Sequence, residues 1–299
     1  MNIEEISYGG WKNCLRLSNG TVEAVIPLEI GPRIIRFGFT GGVNQLAEIP
    51  EDLGETGGEE WRIYGGHRLW HSPEDRIRTY RPDNRPVRRT EEGGGITLTQ
   101  KVEEMTGLEK EMTIRLDKAG SGLEIIHRII NRGEDSAQLA AWAITVMAPG
   151  GLEVIPQPDR DTGLLPNRTV TLWPYSRMDD PRIDWGCRYI TLRQVSGLTE
   201  PFKFGLPDEA GWAAYFNRAD LFLKKFSHFP ETAYPDFGCS YETYTNDFML
   251  EMETLSPLQT LLPGETVEHR ERWELYRDIP EPSGEDEIEA IISPLVGKE

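Results

Sequence analysis

Two-residue alternation of apolar and polar side chains runs through almost the whole chain, and it limits the possible folds more than any other feature. Leu15 and Leu17 alternate with polar neighbours, Asn19-Gly20 has the composition of a tight hairpin turn, and the alternation resumes at Val22. Further segments with this pattern are GGITLTQKV, LEKEMTIRL, LEIIHRIIN, LAAWAITVM, RTVTLW, GWAAYFN, ADLFLKKF, DFMLEMETL and TVEHRERWELY. This succession of strands predicts an all-β fold.

A helical pattern occurs only near the C-terminus, in the segment SGEDEIEAIISPL. Its isoleucines form one stripe, Ser283 can cap the first turn and Pro294 can end the last. This predicts one short helix at about residues 283–292. Because no linker or change in composition interrupts the chain, residues 1–299 are expected to form one large domain of packed sheets.

Charge and composition exclude several classes of function. The chain has 32 Lys and Arg residues against 50 Asp and Glu residues, a formal charge of −18, which repels phosphates. We therefore expect neither nucleic acid nor a membrane as a partner. No apolar run reaches the length of about 18 residues that a membrane span needs, and the opening residues lack a secretory pattern, so a cytoplasmic location is expected.

Motifs for cofactors and for cysteine chemistry are also missing from the sequence. There is no Gly-x-Ser-x-Gly elbow, phosphate loop or dinucleotide fingerprint, and no cofactor is expected. Cys14, Cys187 and Cys239 are too far apart in sequence to suggest a zinc site or a disulfide framework. We interpret all three as inert thiols.

Residues 64–75 read YGGHRLWHSPED and contain the first candidate site. The glycine pair and the proline leave little room for a helix, so His67 and His71 are expected on one face of an extended segment, with Arg68 and Trp70 on the other. Three interpretations remain open. The segment could line a polar pocket in which a histidine exchanges protons beside a flat tryptophan, carry two structural histidines, or supply a metal pair. A zinc peptidase pattern would require a glutamate where Arg68 stands, and no metal is expected.

The segment NDFMLEMETLSPLQTLLPGE at residues 246–265 contains the second candidate site. In a strand, Glu251 and Glu253 lie on one face, and Leu250 and Met252 lie on the other. If the glutamate face is exposed, the pair is a charged exterior. If it lines a cleft, burial and mutual repulsion raise a pKa toward a value useful for proton transfer.

Aromatic and acidic residues are concentrated between positions 211 and 244. Such a mixture is typical of small-molecule sites, where rings provide walls and a few polar groups bind hydroxyls. Most of these rings are expected in the core, and Tyr234, Asp236, Tyr241 and Glu242 are the better candidates for a pocket. Of the remaining histidines, His127 alternates with apolar residues and is expected to be a buried core residue, whereas His269 is expected to face solvent.

Four stretches together resemble the galactose mutarotase-like superfamily, which contains the aldose 1-epimerases and their relatives. They are PLEIGPRIIRFGFTGGVNQLAE, YGGHRLWHSPED, LEIIHRIINRGEDSAQLAAWAIT and LEMETLSPLQTLLPGETVEHRERWELY, and they span nearly the whole chain. The resemblance implies a β-supersandwich that binds a hexose or its phosphate in the concave face of one sheet.

The resemblance also implies roles for individual residues. Glu253 matches the glutamate that takes the proton from the anomeric hydroxyl, and His67, or else His71, matches the histidine that donates to the ring oxygen. The chain departs from the family in having Gly-Gly-His where mutarotases have His-Gly-Gly. It also has Trp142 in the strand where they have an Asn-His pair, which removes part of the acid machinery.

We therefore expect a carbohydrate-binding protein that acts on an aldose by acid and base ring opening, as an aldose 1-epimerase-like isomerase. One alternative is a sugar-binding supersandwich protein without turnover. Another is a metal-dependent sugar enzyme that uses His67, His71, Glu242 and Glu253. The negative net charge favours a neutral sugar. Besides the catalytic pair Glu253 and His67, the expected substrate-binding residues are His71, Arg68, Trp70, Trp142, Tyr234, Asp236, Glu242 and Glu251.

Overall fold

The chain forms 22 β-strands in antiparallel sheets and one C-terminal helix, and the computed structural model describes residues 2–297. The four-stranded sheet contains, in spatial order, β1 (Asn2–Tyr8), β2 (Trp11–Ser18), β3 (Val22–Pro27) and β5 (Arg36–Phe39). The ten-stranded sheet contains β14 (Ile183–Trp185), β15 (Tyr189–Arg193), β12 (Leu152–Pro156), β17 (Trp212–Asn217), β18 (Asp220–Phe226), β22 (Thr266–Arg277), β10 (Leu123–Asn131), β9 (Leu108–Leu116), β8 (Gly95–Thr99) and β7 (Arg88–Glu92). The eight-stranded sheet contains β13 (Thr171–Leu172), β16 (Phe202–Leu206), β19 (Tyr241–Thr245), β20 (Leu250–Leu255), β11 (Ala137–Met147), β6 (His67–Ser72) and β4 (Arg33–Ile34), and β21 (Gln259–Leu261) pairs with β11.

The two larger sheets pack face to face over the main hydrophobic core. Met112, Ile125 and Trp273 of the ten-stranded sheet and Leu69 and Met252 of the eight-stranded sheet belong to this one cluster of buried side chains. We call the face of the eight-stranded sheet that carries Leu69 and Met252 its inner face, and the opposite one its outer face. The all-β prediction and the sandwich of packed sheets are confirmed.

The alternation in the sequence predicts the bounds of some strands accurately. The strands β9 and β10 have the bounds that the alternation predicts, and they pair along their whole lengths. The helix α1 (Glu285–Val296) is confirmed but lies later than predicted. Gly284 is its N-cap and makes no side-chain cap, and Pro294 lies inside the last turn, where its missing N–H removes a single hydrogen bond. Among residues 2–297, no helix combines the length and apolarity that crossing a membrane requires.

The glycine pair before His67 is explained by close backbone contacts. Gly65 and Gly66 both have positive φ angles, 87° and 69°. A Cβ atom at Gly65 would lie 2.2 Å from the carbonyl oxygen of Ala47, and one at Gly66 would lie 2.2 Å from that of Ile34. Only glycine tolerates both a positive φ angle and such a close backbone contact, so the two glycines fix the direction in which the chain enters β6.

Candidate active site

Strand alternation sends the two expected catalytic residues to opposite faces of the eight-stranded sheet. On β6, the imidazole of His67 lies on the inner face, 2.7 Å from His127 of the ten-stranded sheet. On the outer face, Arg68 donates to Glu251 at 2.9 Å. Glu253 shares the face of Glu251, since the two are separated by one residue of β20. The expectation that His67 and Glu253 line one cavity is therefore wrong, and His67 is completely buried between the sheets.

The outer face carries a buried group of charges that we call the carboxylate cluster: Glu242, Glu253 and Lys203. Glu242 and Glu253 are directly opposite each other on β19 and β20. The ammonium of Lys203, from the neighbouring β16, lies 2.8 Å from an oxygen of each glutamate. The indole N–H of Trp142 on β11 also donates to Glu253 Oε2, at 2.8 Å. The predicted pairing of Glu251 with Glu253 on one face is confirmed, and both are buried rather than exposed.

Burial and charge shift the pKa values of all three groups. Burial would lower the pKa of Lys203, but the two adjacent carboxylates hold it well above its usual value. Burial raises the pKa of Glu242 well above its usual value, and Glu253 and Asp236 add to this rise against the effect of Lys203. Burial also raises the pKa of Glu253, which Lys203 counters.

An aromatic wall surrounds these charges and consists of Trp61, Trp70, Tyr80, Trp142 and Trp173. The ring centroids of Trp70 and Trp142 are 5.6 Å apart, and Trp61 and Tyr80 pack on Trp70 at 5.2 and 4.9 Å. Trp173 lies over the Lys203 ammonium, at 4.6 Å from its ring centroid. Four buried donors in and beside this wall have no hydrogen-bond partner among the described residues: Arg68 Nε, Arg68 Nη1, Trp61 Nε1 and Trp70 Nε1. The outer face thus combines flat apolar surfaces with unused N–H groups.

The structure brings most, but not all, of the expected binding residues to this face. Arg68, Trp70, Trp142, Glu242 and Glu251 all lie there with Glu253. Sequence reasoning missed Lys203, because a lysine in a short strand ordinarily reaches solvent. The sequence did contain one signal. Lys203 stands between Phe202 and Phe204, so it is the only charged side chain on the second face of a buried strand whose first face is apolar.

Asp236 lies at the edge of the site, whereas Tyr234 and Tyr241 lie elsewhere. The expected place of Tyr241 in the pocket is wrong, because its side chain is on the inner face and donates to Glu153. Asp236 accepts a hydrogen bond from Ser72 at 3.1 Å and has a positive φ angle. The ring of Tyr234 stacks on His228 at 5.1 Å, and its hydroxyl accepts from the Phe229 N–H, so its contacts are not with the carboxylate cluster.

His71 is on the inner face with His67, and its expected place in the sugar site is also wrong. Burial and the ammonium of Lys110 lower the pKa of His71 to about 4. The metal alternative required both histidines to meet Glu242 and Glu253. The sheet lies between these two pairs, so the structure does not support that combination.

Between the sheets, His67 belongs to a second polar group, the interlayer network, with His127, His269, Lys224 and Glu271. Lys224 donates to Thr145 at 2.6 Å and to Glu271 at 3.0 Å, and Glu271 also accepts from Trp273. Its histidines share further hydrogen bonds with the backbone and with threonines. The prediction of a buried His127 is confirmed, but that of an exposed His269 is wrong, because His269 has the same strand parity as Val267 and Trp273.

One set of donors in this network has the spacing of a metal site. The ligand atoms of His67, His127 and Glu271 lie within 4.8 Å of one another, and no other such group occurs in residues 2–297. However, His127 Nδ1 donates to the carbonyl of His269, and a consistent set of tautomers has His67 Nε2–H donating to His127 Nε2. The nearby ammonium of Lys224 would also repel a cation. We interpret the group as a structural hydrogen-bond network.

The interlayer network is expected to make stability depend on pH. Burial lowers the pKa of His127 to about 4, against 6.5 for an exposed histidine. Below about pH 6.5 the unfolded chain binds a proton that the folded chain does not, so this residue reduces the free energy of unfolding as the pH falls toward 4. The stability gap between wild type and a His127→Gln variant should be about 2 kcal/mol smaller at about pH 4.5 than at about pH 7.5. Urea unfolding at both pH values measures the gap, and an unchanged gap would contradict a neutral buried His127.

Known proteins resemble this chain in structure rather than in sequence. No protein-family model matches the sequence, and no curated protein matches it significantly. Solved structures do match. A proposed aldose 1-epimerase from Klebsiella pneumoniae superposes with a TM-score of 0.61 at 11% identity, covering 98% of this chain and 86% of that one. Galactose mutarotase-like proteins from Lactobacillus casei (TM-score 0.58, 11% identity, 88% and 100% covered) and Clostridium acetobutylicum (0.55, 13%, 92% and 98%) also match. The chain therefore has the galactose mutarotase-like fold that its sequence predicts.

Proposed function

We propose that this protein binds an aldose on the outer face of the eight-stranded sheet and opens its hemiacetal ring, with Glu253 as the general base. The main support for this proposal is the hydrogen bonding of the Glu253 carboxylate. Its Oε2 atom is fixed by Trp142 and Lys203, each at 2.8 Å, while its buried Oε1 atom has no partner among the described residues. Since an unpartnered buried acceptor is costly, the arrangement suits a ligand hydroxyl that donates to Oε1.

The groups around Glu253 suit the other parts of a sugar. The aromatic wall can pack against sugar C–H groups, and the free N–H groups of Arg68 and Trp70 can donate to hydroxyl oxygens. Arg68 is held in place by Glu251, so the donors are oriented before a ligand arrives. The formal charge of the chain, −18, favours a neutral aldose over a phosphorylated one.

The geometry also supports the chemistry of ring opening. A base that removes the anomeric proton must be partly desolvated and must have a free lone pair, and Glu253 has both properties. Solved structures with this fold include the proposed aldose 1-epimerase described above. We extend that activity to this chain because of the Glu253 geometry rather than because of the fold.

A sugar-binding protein without turnover is the second candidate. Trp142 lies next to Glu253, in the strand where aldose 1-epimerases have an Asn-His pair, and an indole cannot act as a proton donor of the imidazole type. His67 does not replace the missing acid, because it lies on the inner face. This candidate keeps the same outer face and the same binding residues.

Exchange NMR and calorimetric titration on a panel of neutral aldoses distinguish the two candidates. We expect saturable binding of at least one sugar and interconversion of its anomers faster than in buffer. Binding without acceleration would favour the second candidate. Binding to none of the sugars would exclude both.

A further inference from the structure

The carboxylate cluster contains two acids and a single basic group, and all three side chains are buried. Glu242 and Glu253 are each 1% exposed, and Lys203 is 4% exposed. With all three ionised, the cluster would have a net charge of −1 away from solvent, which is strongly unfavourable. One proton on one of the two glutamates removes that charge.

The contacts of the two glutamates favour the proton on Glu242. Glu253 is approached by two donors, Trp142 and Lys203, and both stabilise an anion. Within residues 2–297, Lys203 is the only donor that approaches Glu242, which also faces the negative charges of Glu253 and Asp236. Burial accordingly raises the pKa of Glu242 well above its usual value. Near neutral pH, Glu242 is the carboxylic acid and Glu253 is the carboxylate.

We propose that Glu242 is the acid of the reaction, donating its proton to the ring oxygen while Glu253 accepts the proton of the anomeric hydroxyl. This inference rests on the proposed function and supplies the acid that His67 cannot be. The free Oε1 atoms of both residues are available for these transfers. The two glutamates are direct neighbours across β19 and β20, as the reaction requires, because the anomeric oxygen and the ring oxygen are bonded to the same carbon.

The transfers balance without any further reactant. The anomeric O–H proton moves to Glu253, and the electron pair it leaves forms the carbonyl. The bond between the anomeric carbon and the ring oxygen breaks, and its electron pair takes the proton of Glu242. After rotation of the carbonyl, the reverse transfers close the ring on the other face and restore both glutamates.

Lys203 holds the pair together throughout these steps. As the proton moves from Glu242 onto the sugar and another moves onto Glu253, the negative charge passes from Glu253 to Glu242. Lys203 lies 2.8 Å from both carboxyl groups, so the ion pair persists in either state without movement of the ammonium. Such a fixed charge stabilises the transition state without reorganisation. Lys203 is a positioning residue and remains protonated.

The test is a Glu242→Gln variant, since an amide keeps the shape of the acid but cannot deliver its proton. Ring opening should fall by about 10²- to 10⁴-fold, with little change in sugar affinity. Wild-type activity should also decline at alkaline pH, as Glu242 ionises, and that decline should be absent in the residual activity of the variant. Glu153→Gln is the matched control, because Glu153 is a buried carboxyl group that bonds Tyr241 and Thr243 on the inner face. It should keep both the rate and the alkaline decline.

A second measurement does not depend on turnover. Burial raises the pKa of Glu153 to about 8 and that of Asp208 well above its usual value, so protonated carboxyl bands from these two residues are expected as well. Infrared difference spectra at neutral pH should show that Glu242→Gln removes one protonated carboxyl band that is present both in the wild type and in Glu153→Gln. Absence of that difference would overturn the proposal, as would a Glu242→Gln rate equal to that of wild type. In both cases the proposed function stands if the wild type opens aldose rings. A wild type that opens no aldose ring would instead overturn the proposed function, and this inference with it.

Discussion

The Glu253→Gln variant is expected to lose about 10³-fold of the ring-opening rate while it still binds sugar. Glutamine keeps the size of the side chain and an oxygen that can accept from Trp142, but it cannot take the anomeric proton. The effect is large for a second reason. With Glu253 uncharged, Lys203 faces one carboxyl group, and Glu242 is then expected to ionise, so the variant loses base and acid together. Exchange NMR measures the rate, and calorimetry measures the affinity.

The matched control for this variant is again Glu153→Gln, which makes the same chemical change on the inner face. Both variants should unfold cooperatively, which separates loss of chemistry from loss of structure. A Glu253→Gln rate within roughly threefold of wild type would remove Glu253 from the mechanism.

Lys224→Met is expected to reduce the free energy of unfolding by about 3–5 kcal/mol. Lys224 is completely buried and donates to Thr145, to the carbonyl of Met252 and to Glu271. Burial would raise the pKa of Glu271, but Lys224 and the surrounding histidines hold it well below its usual value, so Glu271 is an anion. Removing the ammonium leaves this charge without its main partner between the sheets. Denaturant unfolding at neutral pH measures the loss.

The double variant Lys224→Met, Glu271→Gln tests the cause of that loss. An amide at position 271 still accepts from Trp273 but carries no charge, so it should recover part of the stability that Lys224→Met removes. The two substitutions should therefore be clearly non-additive. Simple addition of the two losses would show that the pair contributes through packing rather than through charge.

Local sequence patterns were sufficient to predict the fold class and the composition of individual strand faces. The alternation in residues 108–131 predicted β9 and β10 with their bounds, since each strand has one face in the core. The helix was predicted less well, because its N-cap is Gly284, which has no capping side chain, rather than Ser283. The face shared by Glu251 and Glu253 was also predictable, because it depends on strand parity alone.

Strand parity alone could not identify the acid, because it does not show which face of a strand meets the other sheet or which strands pair. Both faces of β6 are buried, so its sequence shows that His67 and Arg68 point in opposite directions but not which of them faces the other sheet. Lys203 joins the site through the pairing of β16 with β19, two strands separated by 34 residues that no local pattern connects. His269 was misjudged for a related reason. Its charged neighbours suggested solvent, whereas the buried positions of β22 include His269 and Glu271 in an ion-paired interior.

The direct opposition of Glu242 and Glu253 on β19 and β20 limits how the hairpin joining them can change in length. Adding one residue within β19 would turn Glu242 toward the other sheet and leave Glu253 alone, whereas adding two would keep both on the same side. Insertions and deletions within these strands should thus be tolerated only in even numbers, while the connecting turn at residues 246–249 is free of this restriction. Related chains that retain this chemistry should therefore differ in the lengths of these two strands by even numbers of residues.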